Sequence, residues 1–217
     1  MTSPDPITDF ERDGAALFPE AIDPIAFQNL AASGPGARLR DPSLPALLSP
    51  ATDIASLLLK APARPVRAVL FDKTAEQNWA LGWHQDRTIA VANRADVPGF
   101  GPWTVKQGIT HVAPPIEVLM RMATLRIHLD DCIPDNAPLR IALGSHKLGY
   151  VAADDASTKA AAHPVFDCLA KAGDVWAYST PILHASDRAA KPSRRRVLQV
   201  DYASFDLPMP LRWLGID

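Results

Sequence analysis

Apolar and polar positions along this chain change rhythm near residue 65. Upstream the spacing is helical: Ile54, Leu57 and Leu58 share one face of Ala51–Lys60, which predicts a short helix closed by Pro62 and Pro65. Asp23-Pro24 offers a cap and a first-turn proline, and predicts a second helix running to about Ser33, stopped by Gly34-Pro35-Gly36. Arg38–Pro50 is rich in prolines and turn formers and reads as an irregular surface stretch. Phe10–Phe18 has a charged start, then Gly14 and a short apolar run, which predicts a strand after a turn.

From Val66 onward the period drops toward two. Val66–Phe71 reads as a buried strand and Trp79–Val91 as one or two strands. Ala123–Leu129 alternates strongly, after a helical turn at Ile116–Met122. Leu139–Leu143, Val175–Tyr178, Ile182–His184 and Val197–Tyr202 supply further short strands between turn signals. Asn93–Pro115 is long, rich in Gly, Pro and aromatics, and is expected to be an irregular lid or substrate loop. Many short strands between turns predict a mainly β fold, a sandwich or closed barrel with flanking helices. A single domain over 1–217 is expected, with a helical flank at about 20–62 and a β core at about 66–203.

Composition narrows the class. At 217 residues, 47% of them apolar, the chain is long enough to bury a core without disulfides or metal staples. A formal net charge of −2 gives no electrostatic reason to expect nucleic acid or an anionic membrane as partner. The 21 prolines are scattered, which suits turns better than a helical bundle. Cys132 and Cys168 have neither C-x-x-C nor zinc-finger spacing and read as plain thiols. Met1–Gly14 lacks a basic region followed by an apolar one, and no apolar run nears the roughly 20 residues of a membrane span. The expectation is a cytoplasmic protein acting on a small molecule; nothing in the chain speaks to its oligomeric state.

The chemistry enters at Trp83-His84-Gln85-Asp86. On an extended segment, residues i and i+2 point to one side, so His84 and Asp86 can grip one ion. Taken alone such a pair is weak. Of the six histidines, His184 stands out by context: it follows Gly173-Asp174-Val175-Trp176 and Ile182-Leu183, and it precedes Ala185-Ser186. Arg195 then opens an alternating strand on which it shares a face with Val197 and Gln199, opposite Arg194 and Arg196. Two histidines, one carboxylate and open positions make the facial triad of non-haem Fe(II) oxygenases. An arginine fork matches a carboxylate cosubstrate.

With these pieces in order, the chain resembles the phytanoyl-CoA dioxygenase family of Fe(II)- and 2-oxoglutarate-dependent oxygenases. The resemblance runs from about Phe10 to Tyr202 through Asp72-Lys73, His84-Gln85-Asp86, Leu129-Asp130-Asp131, Asn136-Ala137-Pro138-Leu139, Gly144-Ser145-His146, Gly173-Asp174, His184-Ala185-Ser186 and Arg195-Arg196. It implies a double-stranded β-helix, the jelly roll of cupins. It further implies that His84, Asp86 and His184 ligate Fe(II), that Arg195 holds the distal carboxylate of 2-oxoglutarate with a hydroxyl from Ser186, and that Lys73 lies near the cosubstrate. O2 is the third reactant, and succinate and CO2 are released as a substrate C–H bond is oxidised. Leu143 and Ala137 depart from the family's proline and glycine in two turns. Asp86 is retained where related halogenases carry a small residue, which favours oxygenation.

The alternating strand also places Arg126 and His128 on the face opposite Leu125, Ile127 and Leu129. They are expected to look into the barrel, toward the cosubstrate or an anionic substrate; the alternative is a structural ion pair with Asp130 or Asp201. Gln85, Thr88, Trp103 and His111 are candidate substrate contacts, with packing as their alternative, and His146 is expected to anchor a turn. Rival functions are a binding protein that has lost turnover and a cupin-type metal-dependent isomerase or hydrolase. Neither the substrate nor any use of coenzyme A is legible.

Overall fold

The computed structural model describes residues 5–31 and 36–217. In chain order it contains α1 (Pro6–Asp13), β1 (Ala15–Phe18), β2 (Ala37–Leu39), α2 (Leu44–Leu47), α3 (Ser49–Leu59), β3 (Arg64–Lys73), β4 (Leu81–His84) and β5 (Ile89–Ala90). There follow β6 (Trp103–Lys106), β7 (Ile109–Val112), α4 (Ile116–Met120), β8 (Met122–His128), β9 (Leu139–Ala142), α5 (Ala156–Ala161), β10 (Val165–Cys168), β11 (Val175–Ser179), β12 (His184–Ser186) and β13 (Arg195–Ala203).

A six-stranded sheet in the order β1-β11-β8-β13-β3-β2 faces a four-stranded sheet, β10-β9-β12-β4, and β5-β7-β6 form a third. Every described strand pairing is antiparallel. Mostly β sheet with a few helices, this is the jelly-roll arrangement expected.

Period-two alternation on the large sheet assigns its two faces. Leu125, Ile127, Leu198, Val200 and Tyr202 turn outward and are buried beneath Ala51, Ala55 and Leu58 of α3. Positions 51, 55 and 58 follow the helical period, so one stripe of α3 covers the sheet. The other face looks inward. There Trp176 and Tyr178 pack against Leu139, Ile141 and Ile182 of the opposing side, giving the interior one apolar end. Thr124, Arg126, Gln199 and Asp201, all buried, make the rest of that face polar.

Several segments differ from the sequence expectation. A helix at 6–13 precedes the first strand, where the charged start pointed to a turn: Asp5 accepts from the Ile7 N–H, Pro6 sits in the first turn, and Gly14 (φ 78°) ends the helix in the left-handed region. The helix expected from Asp23 is one 3-10 turn over Pro24–Phe27, although Asp23 does cap it; Ser33, Gly34 and Pro35 lie outside the described residues. The stretch 38–50 holds part of β2 and all of α2 rather than wandering. Within 93–115, β6 and β7 form a hairpin, with Gln107 (φ 49°) and Gly108 (φ 75°) at its turn. Two left-handed residues in succession suit a tight hairpin of type I′. Strand β10 and helix α5 are further elements that the pattern did not reveal. Among the described residues no helix is long and apolar enough to cross a membrane.

Candidate active site

Strands β12 and β4 pair His184 directly with His84, and the two rings lie 4.2 Å apart between centroids. Each imidazole is oriented by the backbone two residues behind it. His84 Nδ1–H donates to the Gly82 carbonyl at 2.7 Å and His184 Nδ1–H to the Ile182 carbonyl at 3.0 Å. Both therefore keep Nε2 free as a ligand atom, since a hydrogen bond at one ring nitrogen fixes the tautomer. One donor atom from each of His84, Asp86 and His184 lies within 4.8 Å of the others. Burial lowers the His184 pKa to about 4, so the ring is neutral near pH 7, as a metal requires. Burial opposes ionisation of Asp86, yet the Arg67 guanidinium, with the Gln199 amide, holds its carboxyl below the usual range. Two imidazoles that each present Nε2 and an ionised carboxylate on one small patch fit a divalent metal with open positions.

The same cavity, about 530 Å³ of empty space, is lined by all three residues and by Lys73, Arg126, Ser186 and Arg195. Arg195, 3% exposed, donates from Nη1 to Cys132 Sγ at 3.5 Å, and its Nε has no partner among the described residues. Burial, with repulsion from Arg126, lowers its pKa even though the Cys132 sulfur acts the other way. A guanidinium buried without a carboxylate is costly and fits an anionic cosubstrate. Lys73 Nζ donates to Ser186 Oγ at 3.2 Å and to the Asp187 carbonyl at 2.9 Å. Burial first, then Arg195 and Arg126, bring its pKa down to about 8. Phe71, Trp79, Leu81 and Leu139 supply apolar wall.

Sequence reasoning missed the groups behind the triad. Gln199 Nε2 donates to Asp86 Oδ2 at 3.1 Å, and its Oε1 accepts from Arg126 Nη1 at 2.9 Å and from the Tyr178 hydroxyl at 3.3 Å. Arg67 Nη2 lies 3.8 Å from the same Asp86 oxygen, while its Nε donates to Asp201 Oδ2 at 2.5 Å. Arg126 thus engages Gln199 in place of the ion pair considered with Asp130 or Asp201. Asp130 is held by Arg196 at 2.9 Å. The only advance signal for Gln199 was its register with Arg195.

Gln85, Thr88, Trp103, His111 and His128 do not line this cavity. The Gln85 amide is taken up by the Gly149 and Pro181 carbonyls and the Val151 N–H. The Thr88 carbonyl accepts from Arg67 at 3.4 Å. Trp103 packs on the cluster of Val66, Ile89 and Val112. His111 and His128 are fully buried. The His146 ring lies against Gly14, where an added Cβ would come within 2.2 Å of Nδ1. Ala137 adopts φ 51°, keeping the left-handed turn for which glycine is the easier residue, and its carbonyl accepts from Ser186 Oγ at 3.3 Å.

Residues 46–197, well over half of the chain, match the family model described as phytanoyl-CoA dioxygenase. No curated protein sequence matches the chain. Among solved structures it is similar to AviO1 from Streptomyces viridochromogenes Tue57, at 21% identity and TM-score 0.63, covering 96% of this chain and 99% of that one. It is also similar to EctD from S. alaskensis with bound Fe, at 18% identity and TM-score 0.69, covering 100% and 81%. A third is SnoK, a non-heme alpha ketoglutarate dependent carbocyclase from nogalamycin biosynthesis, at 16% identity and TM-score 0.68, covering 94% and 85%. At these identities the structural likeness speaks for the fold.

Proposed function

The chain belongs to the phytanoyl-CoA dioxygenase family of Fe(II)- and 2-oxoglutarate-dependent enzymes, and from that premise we propose that it hydroxylates a small molecule. The observation that carries the reading is one cavity holding both a His84–Asp86–His184 cluster and a buried Arg195 whose Nε is unpartnered. His84 and His184 through Nε2, and Asp86 through a carboxylate oxygen, would hold Fe(II). When bound, the metal supplies oxygen activation coupled to decarboxylation of 2-oxoglutarate to succinate and CO2, and with it the power to oxidise a C–H bond.

The chain's own residues bind, orient and exclude. Arg195 holds the distal carboxylate of 2-oxoglutarate, with the Ser186 hydroxyl and the Lys73 ammonium beside it. Arg126 contributes a second positive charge to the same cavity and fixes the Gln199 amide, whose N–H keeps one Asp86 oxygen occupied. Phe71, Trp79 and Leu139 shield the cosubstrate from water on their side of the cavity, which strengthens the polar contacts there. Hydroxylation is the default outcome; ring closure, the reaction for which the carbocyclase SnoK is named, would likewise start from a substrate C–H bond. Retention of all three metal-binding side chains together with Arg195 favours turnover over a degenerate binding role, and a cupin isomerase or hydrolase has no use for Arg195.

Anaerobic addition of Fe(II) and then 2-oxoglutarate is expected to give a weak visible charge-transfer band, with succinate released once O2 is admitted. Arg195→Ala is expected to weaken 2-oxoglutarate binding by roughly 100-fold, the loss of a buried charge-assisted pair, while Fe(II) affinity stays within about threefold. Absence of both the band and 2-oxoglutarate binding in the unaltered chain would sink the oxygenase reading.

A further inference from the structure

Arg195 is not the cavity's only arginine with bonding capacity to spare. Arg126, on β8, lines the same cavity and is 7% exposed. Its Nη1 donates to Gln199 Oε1 at 2.9 Å, whereas its Nε is buried with no partner among the described residues. The guanidinium carbon stands 5.3 Å from the centre of the Phe71 ring, so an aromatic face supports the group without satisfying its N–H donors. Among the residues that line the cavity, Asp86 is the one carboxylate, set against Lys73, Arg126 and Arg195.

Strand register keeps the two arginine heads apart. Arg195 pairs with Lys73 across β13 and β3, and Gln199 lies further along β13, roughly 13 Å away at the usual strand rise. Arg126 is opposite Gln199 in the β8–β13 pairing. Gln199 in turn donates to Asp86 Oδ2 at 3.1 Å. The Tyr178 hydroxyl donates to the same Gln199 oxygen as Arg126 does, and the Tyr178 ring lies 5.6 Å from that of His184. Arg126 is therefore fastened at the metal-binding end of the cavity, while Arg195, with Lys73 and Ser186, belongs to the far end.

A 2-oxo dicarboxylic acid brings two charged ends to such a cavity. A buried guanidinium with unspent donors is costly unless an anion meets it, and the distal carboxylate already has Arg195. We infer that Arg126 donates to the other carboxylate, the one beside the keto group that reaches the metal. The inference rests on the oxygenase reading. It gives Arg126 a task of its own in cosubstrate binding: its fork draws that carboxylate to the Gln199 side, so that the oxo acid docks in one orientation.

Calorimetry on Mn(II)-loaded protein reads this without turnover. Arg126→Gln and Arg126→Met are each expected to weaken 2-oxoglutarate roughly tenfold, and to weaken 2-oxopentanoate, which lacks the distal carboxylate, by the same factor. Arg195→Gln is expected to weaken 2-oxoglutarate roughly 100-fold and to leave 2-oxopentanoate within about threefold. Combining Arg126→Gln with Arg195→Gln should multiply the two losses for 2-oxoglutarate, as for carboxylates met separately. Mn(II) affinity without any oxo acid should stay within about threefold in every variant, which also shows that the variants fold. Losses that fail to multiply, or Arg126 variants that weaken 2-oxoglutarate but not 2-oxopentanoate, would put both arginines on the distal carboxylate. Unchanged binding of both acids would leave Arg126 to the prime substrate, and a parallel loss of Mn(II) would leave it only a support for Gln199. Each of these results overturns the inference. An unaltered, Mn(II)-loaded chain that binds no 2-oxoglutarate overturns the oxygenase reading instead.

Discussion

Gln199 connects the metal cluster to the rest of the inner face, because one amide donates to Asp86 while accepting from Arg126 and Tyr178. A neutral amide does both at once, from two separate atoms pointing to different partners. Gln199→Glu keeps the acceptor and loses the donor, and sets a second carboxylate against Asp86. Metal affinity is expected to fall about 10–100-fold, read by competition with a chelating dye; affinity within twofold of the unaltered chain would remove Gln199 from this role. His128 permits a pH test away from the metal. Burial first, then Arg126 and Arg195, push its pKa down to about 3, whereas an unfolded histidine protonates near 6.5. The unfolded chain therefore binds the extra proton between those values. The contribution of His128 is complete above pH 6.5 and is lost as pH falls toward 3, on the order of 2–3 kcal/mol between pH 7 and 4.5. His128→Gln should flatten that part of the profile of urea midpoints, and parallel profiles would contradict the assignment. The grouping of His84, Asp86 and His184 was legible because the motifs around them stand in the family's order, although a His-x-Asp pair by itself is weak. Gln199 and Arg67 were not, since nothing local marks a glutamine that bonds across 113 residues or an arginine that reaches across 134.

At the scale of elements, two glycines separate backbone strain from collision. Gly108 (φ +75°), at the β6–β7 turn, has open space where a Cβ would stand, so Gly108→Ala is expected to cost about 1–2 kcal/mol from backbone geometry alone. Gly173 (φ +95°), ahead of β11, would put a Cβ 2.7 Å from the Ile22 carbonyl oxygen, and Gly173→Ala should cost clearly more. Denaturant unfolding of the two variants gives the comparison, and equal losses would mean that the Ile22 segment yields freely. The hairpin itself escaped the sequence pattern because each strand is only four residues long and Gln107 is an unusual residue for a left-handed turn position. Helix α1 escaped because most of its residues are polar, although Asp5-Pro6 ahead and Gly14 behind were visible punctuation. Strands β8 and β13 were readable throughout, since a clean split between core-facing and interior-facing residues is the strongest pattern a strand can write.

For the molecule as a whole, β4 and β12 join only through a short, shifted pairing at His84/His184 and Leu81/Ser186. A metal held by both strands ties this part of the small sheet together, so occupancy and stability are linked. Mn(II), as an O2-inert substitute, together with 2-oxoglutarate at about 100 times their dissociation constants should each add about 2.7 kcal/mol. Scanning calorimetry should show a clear rise in Tm that a chelator reverses; an unchanged Tm would place the metal elsewhere. A mainly β sandwich or barrel was foreseeable from strand spacing and the jelly roll from the family resemblance, while the pairing of sheet edges was not, because it depends on contacts far apart in sequence. The two-faced strand β13 has one further consequence, for insertions and deletions. Removing one residue from the 187–194 connection shortens a loop and leaves the strand's parity alone. Removing one inside β13 sends Arg195 or Gln199 to the side covered by α3 and brings leucine, valine or tyrosine inward. Length variation in this chain should therefore be tolerated in the connection and selected against, at single-residue steps, within the strand.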